Sequence, residues 1–282
     1  MAAYRCCRTD DIALLVDALN RCWAPYCPGE PLTTPAVFKR SIRDLQVWCS
    51  SCMVAFSGSD PIGVLIGAKR PSGTLIHKIA VHPDHLRQGH GRHLLASLSS
   101  KLAILGPPRI VAEVPEANTE ACALFSASGY VEQARLTDYV VELDGIEAPG
   151  AGDGRWVMPV TSDDLSANGL LGEPRSRACW ERSIETLTAR KDDLVGLAIA
   201  SDERIEAWLL YTPAGELLSL ECFVEDGGTR LQQLLSLLRA RNLRTLRFPK
   251  VRSGEISPGL LETLGFRPAG SHRLYEARAQ SA

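Results

Sequence analysis

The sequence lacks a long apolar run and an excess of charge. No stretch approaches the roughly 18 apolar residues that a helix needs to cross a bilayer, and the start, Met-Ala-Ala-Tyr-Arg-Cys-Cys-Arg, has no apolar segment of the secretory type. The 31 Lys and Arg residues nearly balance the 33 Asp and Glu residues, which gives a net charge of −2. These absences speak against a membrane protein and against a general nucleic-acid binder, which needs a basic surface. We expect a soluble, cytoplasmic protein.

A disulfide framework and a complete zinc motif are also missing. Nine cysteines are an odd number, and without a secretory signal they are expected to be reduced thiols. Cys49 and Cys52 have the spacing of half a zinc site, but no second pair follows, so no metal is expected. At 282 residues and 45% hydrophobic content, the chain is long enough for two ordinary globular domains.

The most informative stretch joins a strand pattern to a helix pattern through two glycines. The run 75–81 predicts a strand with Leu75, His77, Ile79 and Val81 on one face. Beyond Gly89 and Gly91, leucines recur at helical spacing, at Leu94, Leu95, Leu98 and Leu102. Backbone amides at glycines before a helix form a concave donor surface at the positive end of the helix dipole. Such a turn suits a pyrophosphate.

This stretch resembles the acetyl-CoA-dependent N-acetyltransferases of the GNAT superfamily. In that family a strand ends in Val-x-Pro and continues into Arg/Gln-x-x-Gly-x-Gly/Ala; here the matches are Val81-His82-Pro83 and Arg87-Gln88-Gly89-His90-Gly91, and the family's first Arg or Gln falls on Leu86. A second family motif, Asn-x-x-Ala-x-x-Leu-Tyr-x-x-x-Gly-Phe, is matched by Asn118, Ala121, Leu124, Phe125, Gly129 and Tyr130. The family's tyrosine, often proposed to protonate the leaving thiolate, is replaced by Phe125, which has no donor.

The resemblance implies an α+β fold of two tandem GNAT-like domains. Each would be a mixed, mostly antiparallel sheet flanked by helices, with a splayed pair of parallel strands. Residues 1–144 would form the N-terminal domain that binds acetyl-CoA, residues 145–154 a linker rich in Gly and Pro, and residues 155–282 a degenerate GNAT-like domain. In the first domain the patterns predict strands at 4–7, 52–56, 62–66, 75–81, 110–114 and 139–143, and a helix at 119–128.

The second half repeats the first half weakly and departs from it at the phosphate turn. There, Val224-Glu225-Asp226-Gly227-Gly228 keeps glycines but adds two carboxylates where a polyanion would sit. We therefore expect residues 155–278 not to bind acetyl-CoA and to serve in packing, in completing a sheet or in shaping the acceptor site. From Arg230 to Arg252 there are seven basic residues and no acidic one, which indicates a solvated face or, alternatively, a polyanionic partner.

The resemblance also assigns cofactor contacts. Main-chain groups of Ile79, Ala80 and Val81 would hold the pantetheine and acetyl parts, and the amide of Ile79 or Ala80 would polarise the thioester carbonyl. The turn would hold the pyrophosphate, with His90 and Arg92 beside the phosphates. The complete predicted set is Ile79, Ala80, Val81, Arg87, Gln88, Gly89, His90, Gly91, Arg92, Asn118 and Phe125. A metal held by His82, His85, His90 and His93 is the alternative for the histidines, but a turn that faces phosphate would spread them apart.

Two residues are candidates for the general base that acetyl transfer to an amine requires. His77 is the first, because its ordinary pKa of about 6.5 suits proton removal at cellular pH, and its position resembles that of a catalytic histidine in arylalkylamine N-acetyltransferases. Glu113 is the second. The alternatives are a buried, hydrogen-bonded histidine and an ordinary ion-pair partner. Trp23 and Tyr26 are candidates for substrate contacts or, alternatively, aromatic anchors that hold a proline-rich loop.

Together these features predict a GNAT-type N-acyltransferase. It would transfer an acetyl group from acetyl-CoA to an amine of a small-molecule or peptide acceptor, with no nucleic-acid or membrane partner. The alternative is a CoA-binding sensor or scaffold in which Phe125 marks lost catalysis. The acceptor, the length of the acyl group and the oligomeric state stay open.

Overall fold

The computed structural model describes residues 2–146, 156–171 and 178–280. The chain forms two compact units: unit 1 consists of Met1–Gln133 and Arg273–Ala282, and unit 2 consists of Ala134–His272. The sequence predicts a boundary at residues 144–154, whereas the two units divide between Gln133 and Ala134. In addition, the segment that begins at Arg273 belongs to unit 1. From residue 147 onward the predicted linker lies outside the described residues.

Unit 1 is built on a sheet with helices packed against it. Its strands are β1 (Ala2–Cys6), β2 (Met53–Ser57), β3 (Asp60–Arg70), β4 (Gly73–Val81) and β5 (Arg109–Pro115), and its helices are α1 (Ile12–Cys22), α2 (Pro35–Leu45), α3 (His90–Leu105) and α4 (Thr119–Ala127). The strands lie in the order β1-β2-β3-β4-β5, with β4 and β5 parallel and the other neighbours antiparallel. The predicted α+β class with a mixed, mostly antiparallel sheet is confirmed.

Local sequence explains where several of these elements begin and turn. Thr34 caps α2 by accepting a hydrogen bond from the Val37 amide at 3.2 Å, and Pro35 opens the helix at a position where no amide donor is needed. Gly58, at φ +60°, forms the tight turn between β2 and β3. The leucines predicted to line one face of α3 are all buried in one core with Met53, Leu65 and Ile76. This core fixes α3 against the sheet.

The strand β12 (Arg267–Arg278) completes the sheet of unit 1. Its residues from Arg273 onward belong to unit 1, and β12 lies next to β5 in the sheet. Arg109 of β5 pairs with Glu276 of β12, with 2.9 Å between Nη2 and Oε2. Tyr275 is buried in the same core as the α3 leucines. Unit 1 therefore depends on a segment that lies far from the rest of it in sequence.

Unit 2 repeats the strand and helix order of unit 1. Its elements are the strands β6 (Val131–Glu142, from Ala134 onward), β7 (Trp156–Val160), β8 (Val195–Ala200), β9 (Ile205–Tyr211), β10 (Leu217–Cys222) and β11 (Thr245–Arg252), and the helices α5 (Ser162–Ala167), α6 (Ile184–Ala189), α7 (Thr229–Ala240) and α8 (Pro258–Thr263). One sheet has the order β10-β9-β8-β7, and β11 pairs antiparallel with β6. Within the described ranges, no helix is both long and apolar enough to span a bilayer.

Candidate active site

The candidate site of unit 1 is a cleft where two parallel strands separate. β4 and β5 pair only from Thr74 to Ile76 on one side and from Ile110 to Ala112 on the other. Beyond this point β4 continues to Val81, paired on its other edge with β3, and β5 continues to Pro115. The backbone edge of β4 that faces β5 is thus released from the sheet over residues 77–81, which include the predicted contact residues Ile79, Ala80 and Val81.

A β-bulge lies at the start of the released edge. Lys78 pairs with Ile66 of β3 and Ile76 with Gly67, so His77 is the extra residue. The bulge reverses the alternation of side chains, and it is Ile76 rather than Leu75 that joins Ile79 in the core beneath α3. The prediction that Leu75 shares a face with Ile79 and Val81 is therefore wrong. A sequence pattern of period two does not reveal a bulge.

The two candidate bases lie at the mouth of this cleft. Ile76 and Ala112 form the last pair, and the next residues along the two strands are His77 and Glu113. Both side chains are half-buried, and both take part in interactions with neighbouring groups. The fold thus brings together two residues that are distant in sequence.

The glycine turn has the backbone that an anion site requires. Gly89 precedes α3 with φ +85° and ψ 0°, and Arg87 is also left-handed at φ +62°. A methyl group added at Gly89 would meet no atom within 4 Å, so the glycine is needed for its conformation. Gly91 has a packing role, because a Cβ there would approach Leu124 Cδ2 to 3.1 Å. The first amides of α3 have no acceptor inside the helix, and they meet at an open, positively polarised end.

The side chains around the turn divide into exposed and buried ones. Arg87, Gln88 and Arg92 are exposed and lie within three residues of Gly89 in sequence. His90 is buried, and its Nδ1 lies 2.7 Å from the Tyr4 hydroxyl. Burial, followed by the charges of His85 and His93, lowers the pKa of His90. The His90 ring thus packs into the protein while its backbone amide lies at the helix start, and contact of His90 with a phosphate stays a prediction.

The second motif has a structural explanation in this chain. The Asn118 side chain caps α4 by accepting a hydrogen bond from the Ala121 amide at 3.0 Å. Phe125 is 2% exposed and packs between Tyr130 and Tyr275, with ring centroids 5.1 and 5.8 Å away. Both residues thus build the α4 region, and direct contact of either with a cofactor stays a prediction.

Tyr130, the last residue of the second motif, has a buried side chain. Its hydroxyl is buried and has no hydrogen-bond partner among the described residues, and burial raises the pKa of Tyr130. It lines a cavity of about 170 Å³ between α3 and the end of α4, together with Arg92, Leu95, Ala96, Ala127 and Ser128. No residue of β4 or β5 contributes to this cavity. Tyr130 thus serves the packing around α3 and α4.

The proline-rich loop after α1 reaches the cleft instead. Tyr26 donates a hydrogen bond to the Val81 carbonyl with 2.6 Å between the oxygens, and Lys78 Nζ lies 4.8 Å from the centroid of the Trp23 ring. The loop is closed by a pair of hydrogen bonds between Asn20 and Thr33, at 2.8 and 2.9 Å. Trp23 and Tyr26 thus hold this loop against β4, and their contact with a substrate stays a prediction. Sequence reasoning missed Lys78, although its place next to His77 is a signal that could have found it.

The histidines around the turn are close to one another but do not form a metal centre. The His82 and His85 rings lie 6.1 Å apart, and the His85 and His90 rings 6.4 Å apart. Across the described residues, no group of three His, Cys, Asp or Glu side chains is arranged to hold a metal ion.

Comparison with known proteins identifies the fold and a family domain within unit 1. The family model described as "Acetyltransferase (GNAT) family" matches residues 14–130. The [Ribosomal protein bS18]-alanine N-acetyltransferase of Escherichia coli (strain K12) is 38% identical over 72 residues, 26% of this chain and 49% of that protein. The chain therefore spans about half the length of the curated relatives that it matches.

Solved structures share the fold over the whole chain. A tandem GNAT protein from the clavulanic acid biosynthesis pathway is 16% identical and superposes with a TM-score of 0.70 over 100% of both chains. A GCN5-related N-acetyltransferase from Sphaerobacter thermophilus is 15% identical, with a TM-score of 0.71 over 99% of this chain and 96% of that one. With the split parallel strands and the glycine turn of unit 1, these matches show a GNAT domain at residues 14–130 and the fold of tandem GNAT proteins for the chain.

Proposed function

We propose that unit 1 transfers an acetyl group from acetyl-CoA to the amine of a small-molecule or peptide acceptor. The observation that carries this proposal is the released edge of β4, which leads within one strand and one turn to the open amides of Gly89, His90 and Gly91. A backbone edge suits the amides of pantetheine, and a helix start suits a pyrophosphate. The two features stand in the order that an extended CoA molecule requires.

Each part of the cleft has a role under this proposal. Backbone groups of Ile79, Ala80 and Val81 hold the pantetheine arm, and one of their amides polarises the acetyl carbonyl. The turn from Arg87 to Arg92 binds the pyrophosphate through backbone amides and the exposed arginine side chains. Bound acetyl-CoA supplies a thioester that an amine can attack. The chain's own residues orient it and handle the proton.

The acceptor amine must lose a proton, and His77 and Glu113 are the groups at the mouth of the cleft to accept it. A base within hydrogen-bond reach, directly or through water, contributes about 10²–10⁴-fold to such a reaction. The bulge places His77 at the point where the strands separate, which favours it. Glu113 remains the second candidate.

The acceptor is described here by class alone. The Escherichia coli relative is named for acetylating an alanine of a ribosomal protein, and this suggests a peptide amine for the present chain. The matched segment is only 72 residues long, so a small-molecule amine is retained as the other class.

One observation favours a second function, a CoA-binding sensor without turnover. Phe125 stands where the family carries a proton donor, and the Tyr130 hydroxyl is buried without a hydrogen-bond partner among the described residues. Without an acid the leaving thiolate is protonated by solvent or not at all. A sensor would bind CoA and release no thiol in the presence of amines.

Binding is the first test, and the full chain is the material for it. A chain ending at residue 145 would lack residues 273–278, which complete the sheet of unit 1. We expect acetyl-CoA to bind the wild type in calorimetry and Gly89→Glu to lose more than 100-fold in affinity, because a carboxylate would face the phosphates. Gly58→Glu is the matched control, since Gly58 also has a positive φ and no atom within 4 Å of its Cβ position. Equal affinity of the two variants would refute the cofactor assignment.

Turnover separates the enzyme from the sensor. Thiol release from acetyl-CoA is measured with a panel of amines and amino-terminal peptides. An enzyme loses about 10²–10⁴-fold in rate with His77→Ala or Glu113→Gln while keeping its affinity for CoA. His85→Asn is the control for general effects of removing a histidine. Tight CoA binding with no thiol release from any amine would establish the sensor.

A further inference from the structure

Unit 2 contains a second glycine turn with the same backbone as the first. β10 leads through Gly228 into α7, just as β4 leads through Gly89 into α3. Gly228 has φ +89° and ψ 7°, and Gly89 has φ +85° and ψ 0°. The helix in unit 2 therefore begins with amides in the orientation that suits an anion.

The amides of this second turn are already bound to an anion of the chain itself. The Asp226 carboxylate accepts hydrogen bonds from the Gly228 amide at 3.0 Å and from the Arg230 amide at 2.9 Å. The Arg230 guanidinium lies 2.7 Å from the same carboxylate and 2.6 Å from Glu206. Although burial opposes it, the hydrogen bonds from Arg230 and Gly228 lower the pKa of Asp226. Asp226 is therefore a firmly held anion at neutral pH.

The strands that precede and follow α7 also separate, and a cation of the chain fills the gap. Within the described residues one parallel bridge links these two strands, between Glu216, just before β10, and Arg247 of β11. Just beyond it, the Arg182 guanidinium donates to the Leu218 carbonyl of β10 and the Lys250 carbonyl of β11, each at 3.3 Å. These carbonyls lie along the same edges that unit 1 leaves released.

Arg182 is fixed in this gap by burial and by a paired charge. Its side chain is 1% exposed, and Nη2 lies 2.7 and 2.6 Å from the two carboxylate oxygens of Glu255. The guanidinium carbon lies 4.5 Å from the centroid of the Phe248 ring. A buried arginine with a carboxylate partner and two carbonyl acceptors is a permanent part of a core.

From these contacts we infer that unit 2 is a cofactor fold whose two binding positions are occupied by its own side chains. The Asp226 carboxylate takes the place of the pyrophosphate, and the Arg182 guanidinium takes the place of the pantetheine amides. Unit 2 consequently offers no site for a CoA molecule, and its turn becomes an anion site only when Asp226 is removed. This goes beyond the proposed function, since it stands whether or not unit 1 is an enzyme.

The test removes the Asp226 carboxylate and offers inorganic phosphate in its place. Asp226→Ala is compared with Glu225→Ala, which removes the neighbouring, exposed carboxylate, and the unfolding midpoint is followed as inorganic phosphate is added at constant ionic strength. We expect Asp226→Ala to lower the midpoint by about 2–4 °C, as loss of a helix cap does in a domain of this size, and phosphate to restore it. Phosphate should raise the unfolding midpoints of Glu225→Ala and the wild type by equal amounts, and by less than it raises that of Asp226→Ala.

A milder variant and a binding count complete the design. Asp226→Asn keeps the shape and loses the charge, and it should show a smaller phosphate effect of the same sign. Calorimetry of the wild type should give one CoA per chain, abolished by Gly89→Glu. Equal phosphate effects in Asp226→Ala and Glu225→Ala, or a second CoA site in the wild type, would overturn the inference. If the wild type binds no CoA while phosphate still rescues Asp226→Ala, the proposed function fails and the inference stands.

Discussion

The two glycine turns of this chain share one backbone conformation but carry opposite charges beside the glycine. Two residues before the glycine that opens each helix, unit 1 carries Arg87 and unit 2 carries Asp226. In unit 1 the neighbours Arg87, Gln88 and Arg92 are exposed, whereas in unit 2 the Asp226 carboxylate accepts hydrogen bonds from the Gly228 and Arg230 amides. The glycines therefore specify only the conformation. The charge beside them decides whether the turn can receive a ligand.

The largest expected effect comes from opening the gap in unit 2. Arg182→Met leaves the Glu255 carboxylate buried without its partner, and we expect a loss of about 3–5 kcal/mol in the free energy of unfolding. The double variant Arg182→Met, Glu255→Met should recover most of this loss, because it removes both charges. Urea unfolding measures all three proteins. A loss below about 1 kcal/mol in the single variant would contradict the view that Arg182 holds β10 and β11.

The second-largest effect is expected when the turn of unit 1 is given the negative charge that the turn of unit 2 carries. Arg87→Asp should weaken CoA binding by about 10- to 100-fold, because it removes a cation and adds an anion beside the phosphates. Aspartate tolerates the left-handed backbone that Arg87 adopts, so the fold should persist. Arg87→Asn isolates the loss of the cation and should show a smaller effect. Equal calorimetric affinities of the wild type, Arg87→Asp and Arg87→Asn for CoA would show that charge at this position does not explain the difference between the two turns.

A smaller effect concerns the strand carbonyls of the two clefts. The Val81 carbonyl of unit 1 accepts a hydrogen bond from Tyr26, which is 46% exposed, whereas the Leu218 carbonyl of unit 2 is bound by the buried Arg182. Tyr26→Phe should therefore cost about 0.5–1.5 kcal/mol or less in the free energy of unfolding. Urea unfolding beside Arg182→Met measures the difference. A cost of 3 kcal/mol or more would mean that unit 1 is held as rigidly as unit 2.

The smallest effect is a pH dependence confined to the turn of unit 1. Burial, followed by His85 and His93, lowers the pKa of His90 from 6.5, so the unfolded chain binds its proton first. The contribution of His90 to stability is complete above about pH 6.5 and declines as the pH falls below that value. His90→Gln should flatten this part of the curve of unfolding midpoint against pH. If the curve of His90→Gln has the same slope as that of the wild type, His90 is not the source of this pH dependence.

The sequence predicts the parts of the site that depend on local pattern. The strand before the turn, the glycines and the buried leucines of α3 follow from spacing alone, and the structure has them where expected. The separation of β4 and β5 followed from the family resemblance. These features are properties of a few neighbouring residues or of a shared motif.

The rest depends on contacts between distant residues. No local pattern marks Arg182 as a residue that joins β10 to β11, or places residues 273–278 beside β5. The basic run from Arg230 to Arg252 predicts a solvated face or a polyanionic partner, but Arg230 itself is buried against Glu206 and Asp226. The bulge at His77 likewise depends on the pairing partner in β3. A charged residue gives no sign in sequence of whether it will be paired in a core.

The return of residues 273–278 to the sheet of unit 1 has a consequence for how the protein is made. On the ribosome these residues emerge only after the whole of residues 134–272. The edge of β5 stays without its neighbour during that time, and an unpaired strand edge is prone to aggregation. We therefore expect the first unit to finish folding after translation of the second, and its nascent form to depend on chaperones for longer than a single acetyltransferase domain would.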